Sequence, residues 1–229
     1  MLEIKSFIFG PFQTNCYVVS SFPSGEDGRG FILLVDPACS NDYERGQLER
    51  YIESIKERSE RSNSETVCQC NGLSGEADLS IIATHGHLDH LWGAAWATAK
   101  WHTPVLMHEA DIPMARAMQQ QYDMFGVRMK AEPFPIEPLT QDQFSILNTQ
   151  FSIFETPGHT PGSVSLYFPD DQVLFSGDTL FYAGYGRTDL PGGDFSLLIE
   201  SLERLFALPP ETRVFSGHGQ STTIAQERR

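Results

Sequence analysis

The sequence is short of basic residues, of cysteines and of long apolar runs, and each shortage excludes a class of protein. Its 229 residues carry 16 lysines and arginines against 30 aspartates and glutamates, for a net charge of −14. Phosphate binding needs a basic surface, so no nucleic-acid partner is expected. No segment approaches the ~20 apolar residues of a membrane span, and the N-terminus lacks a signal-peptide pattern. We therefore expect a cytoplasmic protein that does not associate with a membrane.

The four cysteines do not form the spacing of a disulfide scaffold. They are Cys16, Cys39, Cys68 and Cys70. The last two are one residue apart, which is a weak metal signal because structural zinc sites use wider turns and a second cysteine pair. Reduced thiols are expected. A chain of this length can bury a core that needs no disulfide to fold.

Apolar runs and helical spacing predict a layered α+β protein. The predicted strands are residues 2–9, 16–20, 31–35, 80–84, 104–108, 144–147, 150–155, 163–168, 172–176 and 213–216. The predicted helices are residues 42–58, 91–101, 110–123 and 195–207. Strands in two batches, each followed by helices, indicate two sheets packed between helices in one domain over residues 1–229. The polar residues 58–77 are predicted to form an exposed, mobile insertion.

The richest chemical signal follows the predicted strand 80–84, where residues 84–90 read T-H-G-H-L-D-H. Neutral imidazole is the commonest metal ligand, and sets of histidine and aspartate suit zinc or iron. His85 and His87 can converge on one ion from a turning loop, while Asp89 and His90 project towards a second. The alternative is a polar loop with coincidental histidines. Three of the chain's seven histidines in six residues argue against that alternative.

Three later segments repeat the pattern of a polar ligand at a strand end. They read T-P-G-H-T-P-G at 156–162, S-G-D at 176–178 and G-H-G at 217–219. Each is weak alone, because a glycine-flanked histidine in a turn is more often structural. His102 and His108 lack such settings and are not expected to be ligands. The candidate metal ligands are His85, His87, Asp89, His90, His159, Asp178 and His218.

In this order, these segments resemble the metallo-β-lactamase superfamily over roughly residues 80–227. The resemblance implies a four-layer αββα sandwich and two divalent metal ions, with zinc expected and iron or manganese as alternatives. The implied ligands of the first ion are His85, His87 and His159. Those of the second ion are Asp89, His90 and His218, and Asp178 bridges both ions.

A narrower resemblance is to the short bacterial glyoxalase II-like hydrolases, which are hydroxyacylglutathione hydrolase-like. It rests on D-T-L-F at 178–181, G-R-T-D-L-P-G-G-D at 186–194 and the ending G-H-G, T-T-I and E-R. H-E-A-D at 108–111 also fits that group. Family members often read G-S-I-G-R where residues 183–187 read A-G-Y-G-R, so the chain departs from the pattern near the expected pocket.

The implied function is hydrolysis of a small-molecule thioester, such as S-lactoylglutathione, by a metal-bound hydroxide. Asp89 is the candidate catalytic residue, because it can orient the nucleophile as well as bind metal. Arg187 and Tyr185 are candidates for substrate binding, with Tyr182 as an alternative to Tyr185. A salt bridge to Asp189 that fixes the loop is the competing interpretation of Arg187.

Other functions of the same fold remain as alternatives. The first is a mononuclear-iron glutathione persulfide dioxygenase, a group that also carries G-R-T-D. Full-length glyoxalase II enzymes have a helical C-terminal extension that binds glutathione, and the eleven residues after His218 are too few for one. β-Lactam hydrolysis is not expected, since those enzymes are usually exported. A non-catalytic binding module would predict damaged ligands, whereas all seven positions are intact.

Overall fold

The computed structural model of the protein describes residues 2–22, 30–64, 78–139 and 151–228. Within these ranges the strands form two main sheets and a small hairpin. The predicted strand 144–147 and the predicted insertion from residue 65 onward lie outside the described residues. So do Cys68 and Cys70, whereas Cys16 and Cys39 are buried free thiols. No helix in the described part of the chain has the length and apolar character needed to cross a membrane.

The first sheet has six strands, which follow one another in chain order. They are β1 (Glu3–Phe9), β2 (Thr14–Ser21), β3 (Phe31–Val35), β4 (Asp78–Ile82), β5 (Val105–Met107) and β6 (Ile136–Pro138). The pairs β1–β2 and β2–β3 are antiparallel. The pairs from β3 to β6 are parallel. The carboxyl ends of β3, β4 and β5 therefore lie at one edge of the sheet.

The second sheet has five strands in the order β13-β12-β9-β8-β7. They are β7 (Ser152–Glu155), β8 (Val164–Phe168), β9 (Val173–Gly177), β12 (Arg213–Ser216) and β13 (Thr222–Thr223). Strands β9 and β12 are parallel neighbours, so their carboxyl ends also meet. A hairpin of β10 (Leu180–Phe181) and β11 (Gly184–Tyr185) follows β9.

Helices cover the outer face of each sheet. Those on the first sheet are α1 (Asp42–Ser64), α2 (Leu88–Leu91), α3 (Ala94–Trp101), α4 (Ile112–Arg116) and α5 (Met118–Met124). Those on the second sheet are α6 (Phe195–Phe206) and α7 (Ile224–Glu227). Both sheets present apolar side chains to a shared inner core. The four-layer αββα sandwich is thereby confirmed, while the extent of a single domain over residues 1–229 stays a prediction.

Strand β3 shows why the layers form. Side chains of a strand alternate between its two faces. Leu33 and Val35 therefore pack into the core between the sheets, and Ile32 and Leu34 pack against the helices on the outer face. All are fully buried. A continuous apolar run is thus what a strand covered on both faces requires.

Several predicted elements have different bounds in the structure. Helix α1 continues to Ser64, so the predicted insertion was wrong for residues 58–64. Near this end of the helix, Arg58 pairs with Glu3 of β1. The predicted helix 110–123 is divided into α4 and α5 at Ala117, whose φ of −87° and ψ of 23° depart from helical values. Strands β6, β10, β11 and β13 and helix α7 were not predicted, because these short segments have no clear apolar run or helical spacing.

Candidate metal centre

The T-H-G-H-L-D-H segment connects β4 to α2 at the edge of the first sheet. His85 and His87 lie on the loop, and α2 begins at Leu88. Asp89 and His90 lie in the first turn of this helix, and the ring of His90 lies 4.1 Å from that of His85. The assignment of these two pairs to separate ions stays a prediction.

The first set of candidate ligands is made of three histidines. Nε2 of His85 lies 3.1 Å from Nδ1 of His87, and Nε2 of His159 lies 2.9 Å from the same Nδ1 atom. These separations suit three nitrogen atoms around one small cation, because zinc–nitrogen bonds are about 2.0–2.1 Å long. His159 comes from the loop after β7, so the second sheet completes this set.

The second set combines two histidines with a carboxylate. Oδ2 of Asp89 lies 3.2 Å from Nε2 of His218 and 3.5 Å from Nε2 of His90. His218 follows β12 of the second sheet. Hence each set takes ligands from both sheets, and the centre lies where the carboxyl ends of their strands meet.

Asp178 lies between the two sets. Its Oδ2 atom is 3.5 Å from Nε2 of His159 and 3.4 Å from Nε2 of His218. One carboxylate therefore approaches a nitrogen of each set. A carboxylate at this position could contact a cation held by either set. The structure thus brings all seven predicted ligand residues together.

Two buried polar atoms test whether the residues fit a cation. Nε2 of His90 and Oδ1 of Asp178 are buried, and neither has a hydrogen-bond partner in the described part of the chain. They lie 3.4 Å apart. A buried polar atom without a partner costs about 1–3 kcal/mol. A divalent cation would satisfy both atoms, so the donor set fits a metal site.

The pKa values of three candidate ligand histidines are shifted in opposite directions. Burial, followed by the His90 and His87 imidazoles, lowers the pKa of His85 well below its usual range. Burial and the His159 imidazole lower the pKa of His87 to about 4. Burial also opposes charge on His218, but the carboxylates of Asp178 and Asp89 raise its pKa to about 9. His85 and His87 therefore offer neutral nitrogen lone pairs, whereas the nearby carboxylates favour a positive charge on His218.

Comparison with known proteins agrees with this geometry. A family model of the metallo-β-lactamase superfamily matches residues 72–218. The chain belongs to the metallo-β-lactamase superfamily. Membership supports a metal-dependent enzyme of the hydrolase type, and the cluster of histidine and aspartate indicates divalent metal binding.

Relatives within the superfamily cover almost the whole chain. A hydroxyacylglutathione hydrolase, GloC, of Haemophilus influenzae is 32% identical over 95% of this chain and 91% of its own length. The crystal structure of the BLEG-1 B3 metallo-β-lactamase is 32% identical, with a TM-score of 0.75, over 98% of this chain and 96% of that one. The crystal structure of TTHA1623 in a di-iron-bound form is 31% identical, with a TM-score of 0.73. The match covers 98% of this chain and 97% of that one.

Asp36 orients two of the candidate ligands, His85 and His90. Asp36 was not among the residues predicted from the sequence. Nδ1–H of His90 donates to Oδ2 of Asp36 over 2.9 Å. Oγ1–H of Thr84 donates to the same oxygen over 2.8 Å, which leaves the Thr84 oxygen to accept from Nδ1–H of His85 at 3.1 Å. Both histidines therefore turn Nε2 towards the centre. The available signal was a carboxylate directly after the buried strand β3.

Two further side chains hold the ligand loops and were also missed. Asp111, which is fully buried, accepts hydrogen bonds from the backbone N–H of Gly86 at 2.8 Å and of Gly162 at 2.7 Å. Its carboxylate thus joins the loop of His85 to the loop of His159. Thr14 donates its Oγ1–H to Oδ2 of Asp89 over 2.7 Å, which fixes the carboxylate of the second set.

Of the predicted substrate-binding residues, Tyr185 ends strand β11 and Arg187 lies on the loop that follows, beside His159. The carbonyl oxygen of Arg187 accepts a hydrogen bond from Nδ1–H of His159 over 2.7 Å. Its exposed guanidinium forms two bonds of 2.6 Å with Asp189, as the competing interpretation of Arg187 expected. Tyr185 is exposed, and its ring packs at 6.0 Å from Phe195. A direct role of Arg187 or Tyr185 in substrate binding stays a prediction.

The two remaining histidines serve local structure. His102 ends α3 in the left-handed conformation, with a φ of 53°. His108 accepts a hydrogen bond at Nδ1 from the backbone N–H of Ala110 over 3.2 Å, so it begins the short 3₁₀ turn that carries Asp111. Neither residue belongs to the described groups of candidate ligands.

Proposed function

We propose that this protein is a thioesterase that hydrolyses S-lactoylglutathione or a related small-molecule thioester with two divalent metal ions. The observation that carries the proposal is the position of Asp178. Its Oδ2 atom lies within 3.5 Å of a histidine nitrogen of each ligand set. A bridging carboxylate fits a two-metal site, and two-metal sites are common in enzymes that hydrolyse esters and amides.

The chain supplies the ligands and holds them in place. His85, His87 and His159 would bind the first ion, and Asp89, His90 and His218 the second, with Asp178 between them. When bound, the two cations would lower the pKa of water and polarise the substrate carbonyl group. We assign to Asp89 the additional task of orienting the nucleophilic water, because Thr14 already fixes its Oδ2 atom.

Thioester chemistry suits this set of residues. Hydrolysis adds water to the acyl carbon and breaks the bond between carbon and sulfur, giving a carboxylic acid and a thiol. A thiolate is a good leaving group, so little acid assistance is required. The name of the Haemophilus influenzae relative, a hydroxyacylglutathione hydrolase, supports this substrate class. We propose that two residues near His159 contact the substrate. They are Tyr185, at the end of β11, and Arg187, on the loop that follows.

Zinc is the proposed metal, because histidine and carboxylate ligands suit it. Iron is the main alternative, since the crystal structure of the relative TTHA1623 is a di-iron-bound form.

The second candidate function, a glutathione persulfide dioxygenase, depends on iron as well. A subset of these histidine and aspartate ligands could hold a single iron ion, as a glutathione persulfide dioxygenase would require. The name of the BLEG-1 relative adds β-lactams to the substrates that deserve a test.

One experiment separates these candidates. The purified protein is analysed for metal content and assayed with S-lactoylglutathione, with a β-lactam, and with glutathione persulfide in an oxygen electrode. About two metal ions per chain with thioester turnover would support the proposal. One iron ion per chain with oxygen uptake and no thioester turnover would reject it in favour of the dioxygenase.

A further inference from the structure

A cleft of about 250 Å³ opens beside His87, the half-buried histidine of the first ligand set. Helices α4 and α5 form one wall, through Met114, Ala117 and Met124. Leu190 and Pro191, on the loop that follows Arg187, line it as well. A substrate whose carbonyl group lies at the metal centre can therefore extend directly into this cleft.

The walls of the cleft are mostly apolar, with Gln120 and Gln121 as polar lining residues besides His87. Part of the apolar surface is exposed. Met124 is 60% exposed and Phe125 is 39% exposed. The ring of Phe12 packs edge-on against Phe125 at 5.6 Å and extends the apolar surface. Apolar side chains that converge on a concave surface are typical of a ligand site.

The polar atoms of Gln121 are not available to a ligand. Its Oε1 atom accepts a hydrogen bond from the backbone N–H of Leu88 over 2.9 Å. Its Nε2 atom donates to the carbonyl oxygens of Gly86 and Met114, each over 3.0 Å. Gln121 therefore turns its amide towards the backbone and fixes the cleft wall to the loop that carries His85 and His87.

The cleft also lacks the charges that a glutathione group would need. Among its described lining residues there is no lysine, arginine, aspartate or glutamate. Glutathione carries two carboxylates and an ammonium group, and the burial of unpaired charges is costly. A hydrophobic chain carries no charge that would have to be buried. Each buried methylene contributes about 0.8 kcal/mol of transfer free energy, which corresponds to about fourfold in affinity.

We propose that this cleft binds an apolar acyl chain, so that the preferred substrates are thioesters of hydrophobic carboxylic acids. This inference rests on the proposed thioesterase function and names its substrate class. Water adds to the acyl carbon at the metal centre and the C–S bond breaks. The thiol leaves with a proton, and the acid keeps its apolar chain in the cleft.

The test compares acetyl, butanoyl, hexanoyl and octanoyl thioesters of one small neutral thiol, N-acetylcysteamine, with the metal-loaded protein. We expect kcat/KM to rise about two- to fourfold for each added methylene until the cleft is filled. Met124→Gln should reduce the ratio of octanoyl to acetyl kcat/KM at least threefold. Met129→Gln is the matched control, since Met129 is 49% exposed and lies outside the cleft.

A second variant and a binding measurement make the test independent of one substitution. Ala117→Phe should fill the cleft and lower the ratio of octanoyl to acetyl kcat/KM at least threefold. In calorimetry, octanoate should bind the wild-type protein more tightly than acetate, and Met124→Gln should weaken that preference. Equal kcat/KM for all chain lengths would overturn the cleft proposal alone. No hydrolysis of any thioester by the metal-loaded protein would overturn the proposed function as well.

Discussion

Oδ2 of Asp36 lies 2.9 Å from Nδ1 of His90, and both side chains are buried at the boundary between the metal centre and the first sheet. The contact leaves Nε2 of His90 as the atom that faces the candidate ligands Asp89 and Asp178. Partners that orient a ligand in this way commonly change metal affinity 10- to 100-fold when they are removed.

Asp36→Asn should therefore weaken metal binding by 10- to 100-fold. The amide cannot accept hydrogen bonds at both of its terminal atoms, so it loses one of the bonds from His90, Thr84 Oγ1 and Thr84 N–H. Asparagine tolerates the left-handed φ of 54° at this position, so the backbone should not change. Competition with a chromogenic chelator measures the affinity. Asp42→Asn, at an exposed side chain, is the control, and an affinity within twofold of wild type would contradict the prediction.

Asp178→Ala should remove metal and abolish turnover together. The variant loses the carboxylate that approaches both ligand sets, so we expect the metal content to fall below that of the wild-type protein. Metal analysis and a thioester assay on the same sample check both effects. Asp170→Ala, in the exposed turn before β9, should change neither. Full metal content with normal turnover in Asp178→Ala would show that this residue is not a ligand.

Gly217→Ala should displace metal ligands without a change in backbone conformation. A Cβ atom at Gly217 would overlap Oδ1 of Asp178 and approach Cε1 of His90 to 2.6 Å. We expect lower metal content and at least a 100-fold loss of turnover, with an unchanged circular dichroism spectrum. A Cβ atom at Gly184 meets no atom within 4 Å, so Gly184→Ala is the control. Equal activity of the two variants would refute the prediction.

Asp111→Ala should lower stability even in protein stripped of metal. The substitution leaves the buried N–H groups of Gly86 and Gly162 without their acceptor. Each unsatisfied group costs about 1–3 kcal/mol, so we expect a loss of about 3 kcal/mol or more in the free energy of unfolding. For a domain of this size that is a fall in Tm of roughly 6–12 °C. Calorimetry in the presence of chelator measures it.

Glu109→Ala provides the comparison for Asp111→Ala. Glu109 belongs to the same 3₁₀ turn but is exposed, so its loss should change Tm by no more than about 2 °C, as is usual for surface positions. Equal Tm values for the two variants would show that the carboxylate of Asp111 does not hold the ligand loops.

Elements with a clear apolar run or helical spacing were predictable, and several short elements without one were not. The apolar run of β3 and the helical spacing of α6 are each set by local sequence, and both were predicted within two residues of their observed ends. The division of α4 from α5 at Ala117 was missed, because an alanine carries no signal for a break. Helix α1 extends past its predicted end, where Arg58 finds a partner on β1.

The sequence by itself determined the candidate ligands, because their segments follow predicted strands and together, in this order, resemble one superfamily. Only the tertiary structure decided their grouping, since Asp178 must approach histidines on separate loops. It also decided the supporting residues. Asp36 is 54 residues from His90, and Asp111 is 49 residues from Thr160, to which it is also hydrogen-bonded. The apolar cleft beside His87 likewise joins helices α4 and α5 to a distant loop. Local sequence patterns carry no information on such contacts. These contacts depend on how the two sheets pack together, and not on the residues that are neighbours in the sequence.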